Sequence, residues 1–126
     1  MVSRCTFKLV DVDIEAYRSY CLQKKGVSEE FPFDGSTLVY KVMGKMFALT
    51  NVDTFESINL KCDPGIALQL RELYEGVSPG YHMNKNHWNT IKIDGRIPDP
   101  LIYQWIDNSY NLVVEKLPKT DREKFM

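Results

Sequence analysis

The sequence predicts an α+β domain of two layers, a mainly antiparallel sheet with helices packed on one face. Three observations lead there. Segments whose apolar residues recur every three or four positions (Ile14 to Cys21, Ile66 to Tyr74, Leu101 to Val113) have the helical period. Shorter runs rich in β-branched and aromatic residues (Thr37 to Val42, Lys45 to Thr50, Ser57 to Cys62, Trp88 to Ile93) have the period of strands. Those strands are polar on one side, so one face is covered and the other wet. At 126 residues and 44% hydrophobic side chains, residues 1–126 are long enough for a single domain with a core and too short for two ordinary ones.

The first helix is expected to start in the cap region Asp11 to Asp13, to bury Ile14, Tyr17 and Cys21, with Tyr20 beside them, and to stop at Gly26, where a left-handed residue can close it. The turn-rich Phe31 to Ser36 leads to a hairpin, Thr37 to Val42 and Lys45 to Thr50, joined at Met43-Gly44. In the third strand Ile58, Leu60 and Cys62 share one face, and Ser57, Asn59 and Lys61 the other. Asp63-Pro64 supplies a cap and a first-turn proline for a second helix, whose stripe Ile66, Ala67, Leu70, Leu73 and Tyr74 should be buried before Gly76 closes it. Val77 to Asn86, with Pro79-Gly80, reads as a loop into the fourth strand. The last helix is expected from Asp99-Pro100 to about Leu117, with Leu101, Ile102, Trp105, Ile106, Ser109, Leu112 and Val113 inward.

Composition excludes several classes. No apolar run approaches the roughly 20 residues that span a bilayer, and the N-terminus lacks the apolar stretch of a secretory signal, so a cytoplasmic protein without membrane contact is expected. The three cysteines, Cys5, Cys21 and Cys62, are far apart with no CxxC pair, which speaks against a disulfide framework or a zinc finger. Cys21 and Cys62 read as small buried hydrophobes. The net charge of −1 and pI near 6.1 give no global help toward nucleic acid. Locally, Gly80 to Arg96 has three bases (Lys85, Lys92, Arg96), one acid (Asp94) and both histidines.

With helices on one face, the open face would present Lys41, Asn59, Lys61, Trp88, Thr90 and Lys92. Cations interleaved with an aromatic suit single-stranded nucleic acid, where stacking on a side chain is worth about 1–3 kcal/mol per base. An ordinary solvated sheet face has the same pattern. The densest polar cluster, Tyr81 to Thr90, reads equally as a structural loop or as a recess whose imidazoles, amides and lysine donate to phosphate or carboxylate. His82 and His87 supply two metal ligands at best. With no phosphate loop, no paired catalytic carboxylates and no nucleophile beside the histidines, no catalytic residue, metal or cofactor is expected.

The stretch GYHMNKNHWNT (Gly80 to Thr90), with NLKCDP (Asn59 to Pro64) and SYNLVVEKLPK (Ser109 to Lys119), resembles the MmcQ/YjbR family of small bacterial proteins. The likeness extends to GVSEEFPF (Gly26 to Phe33) and TLVYKVMGKMFALT (Thr37 to Thr50), leaving residues 1–10 as an N-terminal extension. The resemblance implies a CyaY-like fold and DNA binding through a double wing. The hairpin Thr37 to Thr50, with Lys41 and Lys45, would form one wing and Tyr81 to Lys92 the other. The frataxin side of that fold is associated with iron on an acidic ridge, but here Asp11, Asp13 and Glu15 are followed by Arg18, Lys24 and Lys25, so iron is not expected.

The expectation is therefore a non-enzymatic DNA-binding protein with weak, salt-sensitive contacts, its oligomeric state open with a monomer favoured. Lys41, Lys45, Lys61, Lys85 and Lys92 would meet phosphates, with Tyr81, His82, Asn84, His87, Trp88 and Asn89 in closer contact. The alternative is a chaperone-like adaptor whose open sheet receives a protein segment.

Overall fold

A computed structural model of the chain describes residues 12–80 and 86–123. Its centre is one sheet of six strands, β1 (Val27–Glu30), β2 (Thr37–Val42), β3 (Lys45–Asn51), β4 (Ser57–Lys61), β5 (Val77–Pro79) and β6 (Trp88–Lys92). Their order is β1-β2-β3-β4-β6-β5, with every neighbouring pair antiparallel. On one face, α1 (Ile14–Leu22) lies over β1, α3 (Asp99–Glu115) over β2 to β4, and α2 (Pro64–Leu73) over β5 and β6, with α4 (Lys119–Arg122) following α3. The architecture is the two-layer α+β arrangement that the alternation of periods predicts.

The local chemistry accounts for most element starts. Asp13 caps α1 by accepting the Ala16 N–H at 2.8 Å, and Asp63 caps α2 by accepting from Gly65 (3.1 Å) and Ile66 (3.4 Å). α3 has no side-chain cap. Pro98 holds the cap position and Pro100 lies in the first turn, so Pro100 removes one donor that would otherwise be orphaned. Met43 (φ 50°) and Gly44 (φ 82°) form a two-residue hairpin turn in the left-handed region, which suits the twist of β2 and β3.

The main core lies between the sheet and the helices. Tyr17, Cys21, Tyr40, Phe47, Ile58 and Ile106 are fully buried there. Tyr17 packs edge-on against Tyr40, and Phe47 against Tyr110, at centroid distances of 5.6 and 5.4 Å.

Two strands go beyond the expected four. β1 carries Glu29 on its inner side, where its carboxylate accepts from Arg18 (two bonds, 3.0 Å each) and from the Tyr40 hydroxyl (2.7 Å). A charge at an inward position hides the alternation. β5 is three residues long and ends in Pro79, a length and composition that suit an unpaired edge and leave almost no pattern to detect. The α2 stripe also departs from expectation. Ala67 is buried, but Ile66 and Leu73 are 49% and 73% exposed, because α2 sits at the margin of the helical layer and touches the sheet on one narrow side.

Candidate nucleic-acid interface

The ladder register decides which side chains face away from the helices. Tyr40, Ile58, Leu60 and Ile91 belong to the main core, so their strand neighbours Lys41, Asn59, Lys61, Trp88, Thr90 and Lys92 share the opposite face. That face is not uniformly wet. Val39, Leu49 and Trp88 form a second apolar cluster with Met46, and Trp88 is only 6% exposed. Thr90, also buried, donates its hydroxyl to Asn59 Oδ1 at 2.5 Å. Asn89 points to the helices. It is 1% exposed, its Oδ1 accepts from Arg71 Nε at 2.8 Å, and its amide donates to the Ala67 carbonyl at 3.4 Å.

The predicted phosphate contacts separate into groups. Lys41 Nζ lies 3.2 Å from Glu30 Oε1, so its charge is already balanced. Lys92 is exposed opposite Ser57, at the far end of the β4–β6 ladder from Lys61, which is about 13 Å along the strand at some 3.3 Å per residue. Lys45 and Lys61 meet at the near end. Tyr81, His82, Asn84 and Lys85 lie outside the described residues, as do Cys5 and residues 1–10. Gly80 and Asn86, which flank 81–85, fall at the same near end. There the Gly80 N–H donates to the Trp88 carbonyl at 2.8 Å, and the carbonyl of half-buried His87 accepts from Cys62 N–H at 2.7 Å.

What opens this end of the sheet is a bulge. Tyr40 pairs with Ala48 but Lys41 with Met46, so Phe47 is an extra residue in β3 and turns into the core. β3 and β4 pair only as far as Ala48 and Leu60. Beyond that point the fully buried Ser109 of α3 bridges them: the Lys61 N–H donates to its Oγ at 2.9 Å, and the Oγ donates to the Phe47 carbonyl at 2.5 Å. Past this bridge lies a recess of about 230 Å³ lined by Lys45, Lys61, Val113, Lys116 and Leu117. None of its three lysines is in an ion pair among the described residues. The nearby Asp63 carboxylate is turned to its capping role on α2. Partial burial, and then the charges of Lys116 and Lys45, hold the Lys61 ammonium below the usual lysine pKa.

Lys116 is the residue that sequence reading missed. A lysine at a helix C-terminus is ordinarily explained by the helix dipole, so nothing in its position singled it out.

A smaller recess of about 50 Å³ between α2 and α3 is lined chiefly by Leu60, Ile66, Leu70, Ile91 and Trp105, with Cys62 beside them. Burial pushes the Cys62 thiol up, which keeps it protonated and a poor nucleophile. Among the described residues, no three His, Cys, Asp or Glu side chains gather as a metal site would require, and no helix is long and apolar enough to cross a membrane.

With this geometry in view, comparison with known proteins places the chain. The family model YjbR matches residues 22–112, from the end of α1 to the last turns of α3. The chain belongs to the YjbR family. It is 35% identical over 105 residues to the protein YjbR of Escherichia coli K12, which covers 82% of this chain and 89% of that one. Against YbdF of Escherichia coli O157:H7 the identity is 38% over 95 residues, 75% of this chain and 78% of the relative. The crystal structure of Deinococcus radiodurans protein DR2400, with the family domain DUF419, superimposes with a TM-score of 0.83 at 37% identity, covering 88% of this chain and 86% of that one. A Pseudomonas syringae crystal structure gives 0.68 at 26% identity, covering 80% and 98%. The YjbR fold is thus shared over nearly all the described elements.

Proposed function

We propose that this YjbR-family protein binds DNA without catalysing a reaction, through phosphate contacts made by Lys45, Lys61 and Lys116 at the splayed end of β3 and β4. The observation that carries the reading is the concentration of three lysines around one recess, with no ion-pair partner among the described residues, in a chain whose net charge is −1. Most protein–DNA hydrogen bonds go to phosphate and sugar, and a cluster of this kind supplies such contacts without any basic excess overall. Of the two wing candidates, the Met43-Gly44 turn of the first and the described residue Trp88 of the second lie at this same end of the sheet, which supports the reading further. Trp88 supports stacking less, since it is buried against Val39 and Leu49, and the adaptor alternative loses the exposed aromatic on which it relied.

Fluorescence anisotropy with labelled single- and double-stranded oligonucleotides tests the reading. Three phosphate contacts predict a salt slope of about −2.7 on duplex, so affinity falls about 40-fold between roughly 50 and 200 mM salt, and about 20-fold on single strands. The variant Lys45→Ala/Lys61→Ala/Lys116→Ala should flatten that slope. Absence of binding to either form at about 50 mM salt, or a triple variant with the original slope, would refute the proposal.

A further inference from the structure

We propose that the recess of Lys45, Lys61 and Lys116 seats the terminal phosphomonoester of a DNA strand in preference to an internal phosphodiester. This inference rests on the DNA-binding reading and narrows it. Its volume of about 230 Å³ is far above the roughly 10–15 Å³ that a single water needs, so one phosphate group has room in it. A terminal phosphate can enter such a space from a single covalent attachment. An internal phosphodiester brings a sugar on each side.

Charge favours the same group. Three lysines line the space, and a phosphomonoester carries about −1.5 to −2 at pH 7, where a diester carries about −1. The lysines repel one another: Lys116 and Lys45 both depress the protonated form of Lys61, so a dianion between them relieves a repulsion already present. Val113 and Leu117, 3% and 5% exposed, form an apolar wall on one side of the recess. The C-terminal end of α3 opposes an anion with about half a negative charge, which three cations outweigh. Ser109 fixes the separation of the walls, because it ties Phe47 of β3 and Lys61 of β4 to α3.

The test compares oligonucleotides of one sequence carrying a 5′-phosphate, a 3′-phosphate or hydroxyl ends, by anisotropy at constant salt. At least one phosphorylated end should bind about tenfold more tightly than the hydroxyl strand. Lys116→Ala should abolish that preference while the protein stays folded, since Lys116 is exposed at the C-cap of its helix. Lys92→Ala, at the far end of the ladder, should retain it. Equal binding of all three strands would overturn the inference and leave the DNA-binding reading standing. No binding of any strand, with inorganic phosphate still shifting the Lys61 side-chain NMR signals, would overturn both and leave a seat for a small anion.

Discussion

Ser109→Ala removes one oxygen and strands two backbone groups. The Phe47 carbonyl is in the core and would lose its partner outright, at about 1–3 kcal/mol. The Lys61 N–H is partly buried and can recover some hydration, so its loss falls at the lower end of the same range. Alanine is the better helix former and returns about half a kcal/mol. The net expectation is a destabilisation of about 2–3 kcal/mol, equivalent to a fall in Tm of about 8–12 °C for a chain of this length. Urea unfolding followed by circular dichroism measures it, as a lower midpoint at constant slope. Asn111→Ala, exposed on the same helix, is the control and should change stability by no more than about 0.5 kcal/mol. The variant should also weaken anion binding with all three lysines intact. A Ser109→Ala protein within about 0.5 kcal/mol of wild type would mean that β3 and β4 close into an ordinary ladder without the hydroxyl, and the recess would not depend on Ser109.

Trp88→Ala should cost about 3–5 kcal/mol, since the indole is 6% exposed and anchors the second cluster, and its effect on any binding should follow that loss of stability in a denaturation series. A stable variant that selectively loses ligand would contradict this. Gly80→Ala places a Cβ 2.7 Å from Trp88 Cβ and 3.0 Å from the Trp88 carbonyl oxygen, so the β5–β6 pair must separate; a loss of about 1–3 kcal/mol is expected in thermal unfolding, and none would show that the edge strand yields freely. The hydrogen bonds from Arg18, foremost, and from Tyr40 hold the Glu29 carboxyl below its usual pKa. The resulting stability is fully present above the ordinary Glu value near 4.3 and is lost as pH falls through the depressed folded value. The stability difference between wild type and Arg18→Ala should therefore be constant above about pH 5 and shrink below it; a difference unchanged to about pH 3 would exclude the ion pair as its source.

Elements with a strong period of their own were legible in the sequence: α3, the β2–β3 hairpin, β4 and β6. Their expected ends shift by a few residues, as for α1, which closes at Leu22 while Gly26 (φ 77°) instead belongs to the turn into β1. β1 and β5 escaped notice because edge strands are held by a partner on one side and need little pattern of their own. Leu73 shows the converse error. Its spacing is that of a buried residue, yet the margin position of α2 leaves it in solvent.

Residue pattern alone determined the class of fold, which faces each strand would present, and that Lys41, Asn59, Lys61, Trp88, Thr90 and Lys92 share one of them, because alternation along a strand is a local property of the backbone. The family motifs are likewise written in the chain. Only the tertiary structure decided which cations gather. Lys45, Lys61 and Lys116 come from a hairpin, a strand end and a helix end spread over 72 positions, and they meet because a bulge at Phe47 and a hydroxyl from Ser109 hold β3 and β4 apart. Electrostatic energy depends on distance through space, so charge that is diluted along the sequence becomes concentrated where the fold brings it together.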